Sequence, residues 1–130
     1  MKKDLKILVV DDFSTMRRII RNLLRDLGFS NVEEAENGSV ALIKMRSMNG
    51  KYDLLVADLN MPVMDGLTMV REMQGDEKLN RIPVIVVTAE ARRELIVEAA
   101  NAGVSAYIVK PFTANTLKEK IGKVLGEAID

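Results

Sequence analysis

Five times along this chain a short apolar run gives way to a stretch with helical periodicity. The runs cover residues 5–10, 31–35, 53–57, 83–87 and 104–109. Residues 5–10 and 83–87 are rich in β-branched and aliphatic side chains, as strands buried on both faces are. Residues 31–35 are more polar and read as an edge strand. Strand and helix in such alternation need crossover connections, which puts the strands parallel and the helices on both faces of one sheet.

That pattern predicts an α/β fold, a flavodoxin-like (βα)5 three-layer sandwich with a parallel sheet in the order 2-1-3-4-5. The helical stretches support it. Met16, Ile19, Ile20, Leu23, Leu24 and Leu27 recur at spacings of three and four and predict one buried face. Arg17, Arg18, Arg21, Asn22 and Arg25 fall on the other, with Ser14 the expected N-cap and Gly28 the expected C′ residue. A second helix is predicted over 39–48, ended by Asn49 and Gly50. A third spans 65–74, with Leu67, Val70 and Met73 inward, and a fourth spans 90–102, stopped by Gly103. Thr113 caps the last, whose apolar stripe is Leu117, Ile121, Val124, Leu125 and Ala128. Gly122 inside it costs about 1 kcal/mol relative to alanine.

With 130 residues and no linker or low-complexity segment, residues 1–130 read as a single domain. Lysine plus arginine equals aspartate plus glutamate at 19 each, a balance that gives no footprint for nucleic acid. The absence of cysteine excludes disulfides and thiol ligands, and the absence of histidine removes the usual imidazole base. The longest apolar stretches are strand-sized, far short of a membrane span. Residues 1–6 lack the apolar core and cleavage site of a signal peptide, so a cytoplasmic location is expected; a monomer is the expected state.

In the predicted topology, Asp11 and Asp12 follow the first strand, Asp58 the third and Lys110 the fifth, while Thr88 closes the fourth. Open α/β sheets bind ligands at this carboxyl edge, beside the switch point between the first and third strands. Three clustered carboxylates repel one another unless a cation intervenes. Oxygen-only ligation favours Mg²⁺ or Mn²⁺ over zinc. Asp58 stands alone after its strand and is the better phosphoryl acceptor; the Asp11 and Asp12 pair suits the ion. Lys110 and the Thr88 hydroxyl are placed to meet phosphoryl oxygens, and the Asn60 backbone carbonyl to meet the ion. Taken singly, each residue also fits a turn, a cap or a solvated loop; it is their convergence that favours the site.

Asp11 and Asp12, the segment from Asp58 through Asn60, Pro62 and Asp65 to Gly66, Thr88 with Ala89, and Lys110 with Pro111 and Phe112 together resemble the receiver domain of two-component response regulators. The resemblance covers nearly the whole chain. The stretches 12–18, 22–24, 32–36 and 109–113 bring it nearest to the stand-alone chemotaxis members. It implies that Asp58 accepts a phosphoryl group from a histidine of a sensor kinase. It also implies Mg²⁺ held by Asp12, Asp58 and the Asn60 carbonyl with Asp11 acting through water, Lys110 paired with the acyl phosphate, and a cis Lys110–Pro111 bond.

The resemblance further implies a switch. Thr88 moves toward the phosphate, and Tyr107 rotates inward in the fifth strand; a half-buried tyrosine with its hydroxyl in water is the plainer reading of Tyr107. The fourth helix, fifth strand and fifth helix form the signalling face, with Tyr107, Lys120, Arg92 and Arg93 nominated to contact a target, the flagellar motor switch protein. Asn60 and Glu90 match positions used with an auxiliary phosphatase, although Glu90 alone also reads as a favourable first-turn acid. Leu59 departs from the tryptophan common beside the acceptor. The expected function is a phosphorylation-controlled signalling module with self-catalysed phosphotransfer and slow autodephosphorylation, not an enzyme acting on other substrates. The competing readings are a receiver in a non-flagellar phosphorelay, a small Mg²⁺-dependent phosphohydrolase, and a flavodoxin. The paired acids in the first loop disfavour the last, because a flavin phosphate needs a Ser/Thr/Gly cradle there.

Overall fold

A computed structural model describes residues 4–126. Its elements follow in strict alternation: β1 (Ile7–Val10), α1 (Ser14–Asp26), β2 (Val32–Ala35), α2 (Gly38–Ser47), β3 (Leu54–Ala57), α3 (Gly66–Gln74), β4 (Val84–Thr88), α4 (Arg93–Ala102), β5 (Ala106–Val109) and α5 (Ala114–Leu125). The sheet is wholly parallel in the order β2-β1-β3-β4-β5, as the sequence predicts. The flavodoxin-like architecture therefore holds.

The two-residue period of the strands divides the core. Leu8, Val10, Leu55, Ala57, Val84 and Val86 point to the face covered by α2, α3 and Ala99 of α4. Ile7, Val9, Leu54, Val56, Ile85 and Val87 point to the face covered by α1 and α5. All twelve are at most 2% exposed, and each of the valine, leucine and isoleucine side chains among them contributes roughly 1.5–3 kcal/mol by leaving water. The central strands are thus buried on both faces. Edge strand β2 tolerates Glu33 and Glu34 between Val32 and Ala35.

Several boundaries differ from expectation. Ser14 is not the N-cap of α1: Phe13 holds that place, and its N–H donates to Asp11 Oδ1 at 2.9 Å. The Asp11 carboxylate thereby takes over the turn that Ser14 was expected to make. The other end of α1 matches. Gly28 has φ +101°, its N–H reaches the Arg25 carbonyl, and the Phe29 N–H reaches Leu24, a Schellman closure. Ile19 is 44% exposed rather than buried, and Arg17 lies partly inside rather than on the solvent face, because a buried carbonyl and Glu34 draw it in. Helix α4 begins at Arg93, so Glu90 belongs to the preceding loop and is not a first-turn acid. Its backbone N–H and carbonyl are already engaged, by Thr88 and Tyr107 respectively. The caps at Asn37, Asp65 and Thr113 accept from Val40, Thr68 and Thr116. Ala128 and residues 1–3 lie outside the described residues. Among the described residues, no helix is long and apolar enough to cross a membrane.

Candidate functional site

Strand register assembles the site. Val10 pairs with Ala57, so the next residues, Asp11 and Asp58, emerge side by side. Thr88 pairs with Val109, so Lys110 emerges beyond it. The Asp58 N–H donates to the Val10 carbonyl at 3.0 Å and the Lys110 N–H to the Thr88 carbonyl at 2.8 Å, extending the ladder into the site. Asp11, Asp12 and Asp58 each offer a carboxylate oxygen to a cluster whose ligand atoms all lie within 4.8 Å of one another. Lys110 Nζ is 3.3 Å from Asp58 Oδ2 and 3.5 Å from Asp11 Oδ2. The Lys110–Pro111 bond is cis.

The acids differ in surroundings. Asp11 is 1% exposed, and burial pushes its carboxyl above the ordinary carboxylate range. The Phe13 N–H and Lys110 pull it down, while Asp58 and Asp12 add to the rise. Asp58 is buried, with Oδ1 accepting from the Leu59 N–H at 2.7 Å and, more loosely, from the Asn60 N–H at 3.4 Å. Asp12 Oδ1 is buried and finds no hydrogen-bond partner among the described residues. An orphaned carboxylate oxygen is costly to bury, and Asp12 also stands beside two further acids. This donor set fits a hard, oxygen-ligated dication such as Mg²⁺.

The loop after β3 is fitted closely around the acceptor. A methyl group at Gly66 would collide with the Asp58 carbonyl oxygen, so only glycine lets α3 start there. The Gly66 N–H donates to the Leu59 carbonyl at 2.9 Å, and the Leu59 side chain is buried in the core. Asn60 is exposed at the mouth.

Thr88 is fully buried, its Oγ1 accepting from the Glu90 N–H at 3.3 Å. The Tyr107 hydroxyl is not left to water: it donates to the Glu90 carbonyl at 2.7 Å. Burial, with the Glu90 and Asp58 charges behind it, pushes the Tyr107 phenol above its ordinary range. Thr88, Glu90 and Tyr107 therefore form one chain of contacts running from the site toward β5. Arg92 is the N-cap of α4, Arg93 its first residue, and Lys120 lies half-buried on α5. None of these three pairs with the acid cluster; Arg92 and Arg93 lie at the start of α4, and Lys120 lies on α5.

Sequence reasoning missed Arg17. Its Nη1 donates to the Asp11 carbonyl at 2.7 Å and its Nε to Glu34 Oε1 at 2.9 Å. The only sequence signal is an arginine in the first turn after the acid pair with a glutamate on an adjacent strand, and neither marks a contact until the register is known.

A parallel five-stranded sheet with paired acids, a lone acid and a lysine at its carboxyl edge defines a receiver, and the chain belongs to the response regulator receiver domain family, which matches residues 7–122. Curated relatives at 56–59% identity are chemotaxis proteins. The chain is 59% identical to chemotaxis protein CheY of Pseudomonas aeruginosa over 120 residues, 92% of this chain and 95% of that protein. It is 56% identical to chemotaxis protein CheY-3 of Vibrio cholerae over 124 residues, 95% and 94% of the two. Among solved structures it resembles Vibrio cholerae CheY4, with a TM-score of 0.82 at 31% identity over 93% of this chain and 98% of that one. It also resembles a chain of the CheX–CheY–BeF3–Mg²⁺ complex from Borrelia burgdorferi, with a TM-score of 0.86 at 25% identity over 93% and 89%. A CheY-like receiver is a signalling module of two-component systems.

Proposed function

We propose that this protein is a phosphorylation-activated chemotaxis response regulator in which Asp58 accepts a phosphoryl group from a sensor-kinase histidine. The observation that carries the reading is the Asp58 carboxylate itself, buried within a three-acid cluster and 3.3 Å from Lys110. An oxygen of that carboxylate attacks phosphorus. The new P–O bond forms as the P–N bond to the kinase imidazole breaks, and the imidazole nitrogen keeps the electron pair. Positioning and charge neutralisation supply most of the acceleration in such transfers.

Asp12, Asp58 and the Asn60 carbonyl would hold Mg²⁺, with Asp11 acting through water. The ion, when bound, neutralises the acid cluster and the charge on the transferring group. Lys110 pairs with one phosphoryl oxygen and Thr88 donates its hydroxyl to another, giving up its bond to the Glu90 N–H. Phosphorylation adds roughly −1.5 to −2 charges, enough to bias a two-state contact chain. Because the Tyr107 hydroxyl is held by the Glu90 carbonyl, a shift of Thr88 and the 88–90 loop reaches the outer surface through Tyr107.

Tyr107, Lys120, Arg92 and Arg93 then form the face for a target, the flagellar motor switch protein. Asn60 and Glu90 serve removal of the phosphoryl group with an auxiliary phosphatase; the Borrelia burgdorferi relative was solved with CheX, which supports a partner of that kind. The whole chain acts as one cytoplasmic, monomeric domain.

The test is intact-mass measurement after incubation with acetyl phosphate and Mg²⁺. One phosphoryl adduct is expected, lost in Asp58→Asn and in the presence of a chelator. A folded, Mg²⁺-binding protein that gives no adduct in a rapidly quenched time course would overturn the reading.

A further inference from the structure

The arginines of α1 are not equivalent. The Arg21 side chain keeps 53% exposure, as an exposed helix face allows, whereas that of Arg17 keeps 17%. Arg17 uses the fork of its guanidinium to hold two elements at once. Nη1 takes the Asp11 carbonyl at 2.7 Å, and Nε takes Glu34 Oε1 on β2 at 2.9 Å. Glu34 is itself held from the other side, with Oε2 accepting from Arg21 at 3.0 Å. The Asp11 carbonyl belongs to the peptide that leads into Asp12. On the far side of Asp12, the Phe13 N–H is held by Asp11 Oδ1. The backbone is therefore pinned immediately before and after Asp12, while the Asp12 carboxylate has one buried oxygen with no protein partner among the described residues. Nothing on that oxygen aims it; its direction is inherited from the backbone.

We propose that Arg17, steadied by Glu34, is a positioning residue for the divalent-cation site: it fixes the Asp11–Asp12 peptide and so the aim of the Asp12 carboxylate. This rests on the Mg²⁺ reading of the acid cluster and adds to it a residue that touches neither the ion nor the phosphate. Charge and position make opposite demands here. A guanidinium acting only through its charge repels a dication, so its removal would tighten Mg²⁺ binding. A guanidinium acting through position weakens binding when removed. Lysine keeps the charge but not the planar fork, and cannot reproduce both bonds.

The experiment is direct titration of the intact protein with Mg²⁺ by calorimetry, for wild type, Arg17→Met, Arg17→Lys and Arg21→Met, with a thermal melt of each. Outer partners of metal sites are commonly worth 10-fold or more in affinity, so both Arg17 variants are expected to bind Mg²⁺ about 10-fold more weakly. Arg21→Met breaks the exposed half of the Glu34 pair, leaves the Asp11 carbonyl held, and is expected to bind within about twofold of wild type. At saturating Mg²⁺, the phosphorylation rate of the Arg17 variants with acetyl phosphate should return to near the wild-type value, a split between affinity and maximal rate that loss of folding would not give. Unchanged or tighter Mg²⁺ binding by Arg17→Met overturns the proposal. Arg21→Met as weak as the Arg17 variants overturns it too, assigning the effect to Glu34 alone. Should Arg17→Met not fold, Arg17→Lys decides. Wild type that does not bind Mg²⁺ removes the metal reading itself, a distinct failure.

Discussion

Tyr52, just ahead of β3, is 5% exposed and donates its hydroxyl to Glu33 Oε1 at 2.6 Å. Lys6 reaches Glu33 Oε2 at 3.0 Å and lies 5.1 Å from the centre of the Tyr52 ring. The Tyr52 bond, followed by Lys6, holds the Glu33 carboxyl below the ordinary carboxylate range. Burial, then the same bond, pushes the Tyr52 phenol well above its ordinary range. A carboxyl with a depressed folded pKa stabilises the protein above its unfolded pKa, and that contribution fades as pH falls through the folded value. Tyr52→Phe should therefore cost about 1 kcal/mol at neutral pH, the usual worth of such a bond where the partner keeps access to water. In urea unfolding curves the difference from wild type should shrink in acid, as pH falls through the lowered folded value and Glu33 takes up its proton. A difference independent of pH would place the cost in packing instead. At this scale the acids and Lys110 were legible in the sequence, because each directly follows a strand and chemistry restricts what three acids and a lysine can do together. Arg17 with Glu34 and Tyr52 with Glu33 were not, since their partners are chosen by the β1–β2–β3 register and stand 17 and 19 residues apart.

Helix α4 shows the same division one level up. Its apolar periodicity announced a helix, and Gly103, at φ +111°, ends it where expected. Its start is later than periodicity suggests, because the backbone groups of Glu90 are taken by Thr88 Oγ1 and the Tyr107 hydroxyl. Arg92, the residue left at the N-cap, supplies no capping bond among the described residues. Only Ala99 of the helix is buried, and Ile96 and Val97 are 37% and 49% exposed. The exposed Arg71–Glu98 pair adds little to its anchorage. Few buried contacts and an uncapped start put an element at the low end of local stability, which is where moving elements are found. An asparagine at the cap should repair it. Arg92→Asn is expected to stabilise the protein by about 0.5–1 kcal/mol and to slow hydrogen exchange of the amides at the start of α4. Unchanged exchange there would mean that the cap does not limit the helix.

Across the whole molecule, five strands deliver their ends to one edge, and the order 2-1-3-4-5 followed from the sequence because right-handed crossovers and a polar edge strand leave few arrangements. The price of that convergence is electrostatic. Asp11, Asp12 and Asp58 are crowded within 4.8 Å, with an orphaned oxygen on Asp12. Without a dication, this cluster opposes the fold that creates it. Asp12→Ala removes both the orphaned atom and a like charge, and is expected to be more stable than wild type by about 1 kcal/mol in the presence of a chelator. Added Mg²⁺ reverses the order. Wild type gains stability in proportion to RT ln(1 + [Mg²⁺]/Kd), whereas the variant has lost a ligand and gains little. Thermal melts across a Mg²⁺ titration should therefore cross, the variant melting higher at the start and wild type higher at the end. Parallel curves would mean that Asp12 is not a ligand. A variant less stable from the outset would mean that its carboxylate supports the fold even without a cation.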